Sequence, residues 1–210
     1  MKVRFLIEMR VLAISDTHGM HWRSKALPDA DLLIHAGDFS MIGVKEEALD
    51  FLEWFTNLPH KHKVFICGNH DEALLRGNIN GLPSNCHFLN YSSVVIEGIK
   101  ICGIPFYVEP YGSKELPPRL KAICENDIDV LVSHQPPYGM QDVSELYGHY
   151  GSHTLLNIVK KVKPKFHIFG HMHEDYGVKE EDGTTFINCA LMGESYERWT
   201  KSPIQFEVGK

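Results

Sequence analysis

The chain has 210 residues, 43% hydrophobic and 23% charged, with a formal net charge of −6. That length suffices for one well-buried domain, and the acidic balance gives no electrostatic reason to bind long nucleic acids. Five cysteines without a Cys-x-x-Cys pair argue against a disulfide framework or zinc ribbon and fit a reducing cytoplasm, and no run approaches the roughly 20 apolar residues of a membrane span.

Residues 1–8 read as an N-terminal extension, because the first strand needs only the residues beyond Met9; residues 9–210 read as a single domain. Short apolar runs at Val11–Ser15, Leu32–Ala36 and Val64–Cys67 predict buried strands. Between the last two, Ala48, Leu49, Leu52 and Phe55 predict a helix over Glu46–Phe55. Val94–Ile96, Gly98 and Ile99–Ile104 predict a hairpin. A helix over Lys114–Glu125, a strand at Val130–Val132, a helix over Thr154–Val162 and a strand at His167–Phe169 come next. Val178, the turn Glu181-Asp182-Gly183, Thr185–Asn188 and Ile204–Val208 read as closing antiparallel strands. Alternating strands and helices predict an α/β fold, a four-layer αββα sandwich of two mixed β-sheets flanked by helices.

Polar clusters come after these strands: Asp16-Thr17-His18, Gly37-Asp38, Gly68-Asn69-His70-Asp71, Ser133-His134 and Gly170-His171-Met172-His173. Carboxylate and amide oxygens mixed with imidazole nitrogens suit a pair of metal ions gathered in one crevice at the strand ends. On an extended backbone Asp16 and His18 point to one side. Asp38 is the candidate bridge, since a carboxylate has two oxygens to share between cations. Asn69 offers a neutral amide oxygen, or caps the next helix. Alternate histidines, His171 and His173, would each face a different ion.

These clusters, in this order, resemble the calcineurin-like metallophosphoesterase superfamily, and most closely the MPPED group. The stretches Ile14-Ser15-Asp16-Thr17-His18, Leu33-Ile34-His35-Ala36-Gly37-Asp38-Phe39 and Phe169-Gly170-His171-Met172-His173-Glu174 carry the likeness, with Leu58-Pro59-His60-Lys61-His62-Lys63 and Phe186-Ile187-Asn188. The resemblance implies two divalent transition-metal ions, drawn from Mn, Fe, Zn, Ni or Co. Asp16, His18 and His173 would hold the first and Asn69, His134 and His171 the second, with Asp38 between them. It implies phosphoester hydrolysis by a hydroxide held between the ions, with His70 as a catalytic donor near the phosphate and Asp71 orienting His70 or capping a helix. Gly37-Asp38-Phe39-Ser40-Met41-Ile42-Gly43 lacks the additional Asp and Arg of the protein serine/threonine phosphatases, so that activity is not expected. Arg76, Arg119 or Arg198 would have to fold back to supply a cation.

Among the other histidines, His35 and His167 read as packed within strands, and His60 and His62 as solvated. Tyr107, Tyr111 and Tyr138 sit in Pro-rich loops, where aromatic rings can stack on a nucleobase or cover the core. The long loop Pro136–Ser152 is the first choice for substrate selection, with Tyr138, His149 and His153 as substrate-binding candidates. The expected function is hydrolysis of a small phosphate ester, favouring a phosphodiester such as a cyclic nucleotide over a monoester. A non-catalytic protein-interaction scaffold on the same fold is the rival reading, and a nuclease is weaker. The expected partner is a small phosphate ester such as a nucleotide, with neither long nucleic acid nor membrane.

Overall fold

Side chains of a strand alternate between its two faces. In β1 (Glu8–Ile14), Met9, Val11 and Ala13 enter one buried layer while Leu12 and Ile14 enter another, so both faces need apolar cover. The computed structural model describes residues 8–23, 27–75, 77, 79–106, 118–123, 127–146 and 148–209. Within them β1 leads to β2 (Leu32–His35), α1 (Lys45–Asn57), β3 (His62–Phe65), α2 (Glu72–Leu75), β4 (Cys86–Phe88), β5 (Ser92–Ile96), β6 (Ile99–Ile104) and α3 (Pro118–Ile123). Then come β7 (Val130–Ser133), β8 (Val143–Ser144), β9 (Gly148–His149), α4 (His153–Val162), β10 (Phe166–Phe169), β11 (Gly177–Glu181), β12 (Thr184–Asn188) and β13 (Ile204–Gly209).

The strands form two mixed sheets, ordered β13-β1-β2-β3-β4 and β11-β12-β10-β7-β6-β5. The inner strands run parallel, while β13, β11 and β5 are antiparallel edges. Val11, Leu32 and Val64 of the first sheet meet Ile101, Val130 and Ile168 of the second in a shared core. On the outer face of the first sheet, Leu12, Leu33 and Phe65 pack against Phe51, Trp54 and Phe55 of α1. Leu131 and Phe169 pack against Leu120 of α3 and Leu155 and Ile158 of α4 on the other side. The expected sandwich of two mixed sheets flanked by helices is thus observed. Among the described residues no helix is long and apolar enough to cross a membrane.

Several expectations shift. The buried face of α1 is Ala48, Phe51, Trp54 and Phe55, and Leu49 points to solvent at 55% exposure, because the larger aromatic stripe sets the helix rotation. The third strand ends at Phe65, two residues before the expected Cys67. The short β4 is unexpected, since three residues carry too little periodicity, and the helix expected after Asn69 and Asp71 is the four-residue α2. The loop expected to be irregular over Pro136–Ser152 contains the β8-β9 ribbon, tied through buried Asp142, which accepts from Gly139 N and Gly151 N at 3.0 and 2.9 Å. Of the helix expected over 114–125, only Pro118–Ile123 lies in described residues. Tyr107, Tyr111 and Arg76 lie outside them, as do residues 1–7. His60 is buried rather than solvated, its Nε2 bonded to Pro28 O at 3.0 Å. Buried Lys63 donates to Thr56 O and Leu58 O at 3.0 and 2.7 Å, satisfying carbonyls where α1 ends.

The parallel strands β1, β2, β3, β7 and β10 all end at one rim of the sandwich. There Ser15 N donates to Cys189 O and Leu191 N to Ser15 O, both at 3.0 Å, while Phe106 N donates to Cys67 O at 2.9 Å. These bonds join the two sheets at the edge where the polar clusters emerge.

Candidate metal centre

The chain turns sharply after each of these strands, and the turns aim the ligands. Asp16, His18, Asp38 and His171 have φ of +55°, +42°, +56° and +68°, a left-handed backbone that costs such residues roughly 1 kcal/mol or more each. Asp16 and His18 therefore converge through two left-handed turns, not along an extended segment. The glycines leave room: a Cβ on Gly68 would collide with Asp38 Oδ1, and one on Gly170 with Asp16 Oδ2.

Ligand atoms of Asp16, His18 and His173 lie within 4.8 Å of one another, as do those of Asp38, His134 and His171. His173 Nε2 is 3.2 Å from Asp16 Oδ1, and His134 Nε2 is 3.0 Å from Asn69 Oδ1. Between the groups, Asp38 Oδ2 is 3.9 Å from His18 Nε2 and 3.3 Å from His134 Nε2. Its Oδ1 accepts the His70 backbone N–H at 2.8 Å, which leaves Oδ2 as the atom that faces both groups. Loops separated by most of the chain thus supply one cluster.

The surroundings fit divalent cations. His18 Nδ1 and His134 Nδ1 donate to Ser40 O and Ala36 O at 3.1 and 2.9 Å, so Nε2 is the nitrogen that each ring turns to the carboxylates, and the one that offers a lone pair when the ring is neutral. His18 Nε2 is buried without a hydrogen-bond partner, an arrangement that a bound cation would resolve. Burial by itself would raise the Asp16 carboxyl, but the hydrogen bond from His173 and the fields of His134, His173 and His18 hold it below the ordinary range. Burial opposes a charge on His134, yet Asp38 keeps its pKa up at about 9. Burial and the field of His134 push His171 down to about 4. Asp38 and Asp16 thus favour positive charge at His134.

His70 and Asp71 occupy different places than their adjacency suggests. The His70 ring is T-shaped against His18 at 4.8 Å between centroids, and a ligand atom of His70 lies within 4.8 Å of those of His18 and Asp38. Its Nδ1 donates to Met41 O at 2.7 Å, so a backbone carbonyl orients the ring rather than Asp71. The buried Asp71 carboxylate accepts from Asp38 N, Ser40 N and Gly68 N at 2.8, 2.9 and 2.8 Å. The carboxylate clamps the two loops together, while the Asp71 backbone carbonyl accepts from Leu74 N and Leu75 N at the start of α2. Burial and the Asp38 charge push the carboxyl up to about 7. His35 supports the same region, accepting from Gly37 N at 3.2 Å and pairing with Thr17 Oγ1 at 3.0 Å.

A cavity of about 280 Å³ opens beside the cluster, lined by His171, His173, Ser144, Tyr150, Glu174, Glu194 and Tyr196, with Met172. Tyr138, His149 and His153 do not line it. Tyr138 stacks on His153 at 4.0 Å, and His149 Nδ1 bonds Asp142 Oδ1 at 2.7 Å, so these side chains hold the β8-β9 ribbon. Ser144 of the ribbon and Tyr150, just after it, are the residues of this loop that reach the cavity, with the Tyr150 ring 6.2 Å from that of His171. Tyr150, Glu194 and Tyr196 escaped sequence reasoning because no ligand motif flanks them; the only signal was their place in loops after strands. Arg119 lies over the Tyr91 ring at 4.5 Å, away from the cluster, and Arg198 is exposed.

Comparison with known proteins agrees with this architecture. Residues 9–175 match the family model described as calcineurin-like phosphoesterase. A UPF0046 protein of Caenorhabditis elegans is 34% identical over 96% of this chain and 76% of its own. Human metallophosphoesterase domain-containing protein 1 is 33% identical over 90% of this chain and 68% of its own. Among solved structures, GAP50, the anchor in the inner membrane complex of Plasmodium, shares the fold with a TM-score of 0.51 at 14% identity, over 96% of this chain and 78% of its own.

Proposed function

This chain belongs to the calcineurin-like phosphoesterase family, and on that premise we propose that it is a metal-dependent hydrolase of small phosphate esters, with phosphodiesters such as cyclic nucleotides preferred over monoesters. The observation that carries the reading is Asp38 Oδ2 standing between His18 Nε2 and His134 Nε2 at 3.9 and 3.3 Å, with His18 Nε2, also 3.9 Å from Asp16 Oδ1, buried without a hydrogen-bond partner. A scaffold makes no demand on those positions; a dinuclear centre does.

Asp16, His18 and His173 would hold one divalent ion, and Asn69, His134 and His171 the other, with Asp38 shared. Mixed nitrogen and oxygen donors suit Mn, Fe, Zn, Ni or Co. Such ions supply Lewis acidity toward a phosphoryl oxygen and lower the pKa of water. The chain supplies the rest. Asp16 and Asp38 balance cationic charge, and the carbonyls at Ser40 and Ala36 lock the imidazoles that face it. With Nδ1–H of His70 committed to Met41 O, its other nitrogen is the one that exchanges a proton with the ester oxygens.

The cavity walls support the diester preference. Glu174 and Glu194 contribute carboxylates, and no Lys or Arg is among the described residues that line it. A dianionic monoester finds no cationic side chain there to reward its second charge, whereas a diester carries one charge. The test is an elemental analysis of the reconstituted chain, then assays with bis(p-nitrophenyl) phosphate, p-nitrophenyl phosphate, cyclic AMP and an oligonucleotide. Metal-dependent hydrolysis with kcat/KM for the diester equal to or above that for the monoester is expected. Absence of bound metal, or of any turnover across the panel, would overturn the reading; a strong monoester preference would overturn the substrate assignment.

A further inference from the structure

Tyr196 lies beyond the segment that the family model matches, yet its ring stands against the candidate ligands, 4.9 Å from His18 and 4.8 Å from His173 between centroids and 6.5 Å from His70. Its backbone has φ +57°, a conformation that a bulky aromatic residue adopts only when its surroundings impose it. Here they do. Tyr196 N donates to Gly193 O and Gly193 N to Arg198 O, both at 3.1 Å, and Met192 pairs with Trp199 across the loop. The loop is in turn fastened to the ligand turns. Trp199 Nε1 donates to Thr17 O at 3.4 Å, and Lys201 Nζ bonds both Met192 O, at 3.1 Å, and His173 O.

This amount of fastening delivers one ring, 40% exposed, to the cavity wall. The cavity therefore carries a tyrosine beside each group of ligands, Tyr150 next to His171 and Tyr196 next to His18 and His173. Of the two, Tyr196 is the one near His70, where the proposed function puts proton exchange with the ester. An aromatic face there rewards a planar group on the ester and offers little to a small alkyl group.

We propose that Tyr196 is a substrate-binding residue that receives the planar organic group of the phosphate ester and so selects aromatic over aliphatic esters. The proposal rests on the functional reading above. Base or aryl stacking on an aromatic side chain is typically worth about a tenfold gain in affinity.

The probes are phenylphosphonate and methylphosphonate, titrated calorimetrically into the Mn-reconstituted chain and into Tyr196→Phe, Tyr196→Leu and Tyr196→Gly variants. Glycine suits the left-handed position, so Tyr196→Gly removes the ring while relieving the backbone. Wild type and Tyr196→Phe are expected to favour phenylphosphonate about tenfold, with the ratio falling to within about twofold in Tyr196→Gly and Tyr196→Leu at unchanged metal content. An undiminished ratio in Tyr196→Gly would overturn this proposal and leave the functional reading standing. If neither phosphonate shows metal-dependent binding to wild type, both fall together.

Discussion

Replacing Asp71 separates a loop clamp from a catalytic partner of His70. Its carboxylate accepts three backbone N–H groups at 2.8 to 2.9 Å, in a side chain that is 1% exposed. In Asp71→Asn the amide oxygen can replace Oδ2, which serves Asp38 N and Gly68 N, while the NH2 group faces Ser40 N. One buried donor loses its partner at about 1–3 kcal/mol, and the two remaining bonds lose their charge at roughly 0.5–1 kcal/mol each. Against this, the cost of burying the Asp71 charge and its repulsion from Asp38, which together raise its pKa to about 7, are relieved. A cation on Asp38 would screen that repulsion, so the net cost should be larger in the metal-loaded chain, about 2–5 kcal/mol. For a chain of this size that corresponds to a fall in Tm of about 4–20 °C. Differential scanning calorimetry with and without Mn measures it, alongside metal content and turnover per bound metal. Because Met41 O orients His70, turnover per bound metal should fall less than about tenfold. A variant with wild-type Tm, full metal content and a hundredfold loss of turnover would refute the clamp.

Gly68→Ala places a Cβ against Asp38 Oδ1 and Asp38→Ala removes the shared ligand; elemental analysis should show loss of at least one ion from each, and retention of both ions would refute the assignment of Asp38. His70→Ala should keep its metal while turnover falls about a hundredfold or more; metal loss as large as that of His171→Ala would make His70 a ligand instead. The His134 pKa, raised from 6.5 to about 9, means that its contribution to the cation-free fold is complete below pH 6.5 and disappears as pH rises through 9. Chelated protein should therefore lose thermal stability between about pH 7 and 9, while metal-loaded protein, with His134 a neutral ligand, should not. A chelated Tm that rises across that window would contradict the proposed charge on His134.

Apolar runs at β1, β2 and β7 and the helical spacing of α1 and α4 dictated their own structure, because burial on one or both faces leaves a periodic trace in local sequence. The polar clusters were visible where the chain leaves each buried strand, while their division between two ions came from the resemblance that the clusters bear, in this order, to a known family. What tertiary structure decided is which residues meet. Asp16 and His18 converge through left-handed turns, a backbone choice that residue types do not announce. Asp71 serves Asp38, Ser40 and Gly68 rather than its neighbour His70, since the approach of two loops sets its partners. Tyr196 reaches the ligands because its loop is fastened to theirs, with Trp199 bonded to Thr17, 182 positions away in the chain, and Lys201 to His173 O. Such contacts depend on strand register, sheet-to-sheet packing and the hand of each turn, and these are fixed by the whole core acting together rather than by any local pattern.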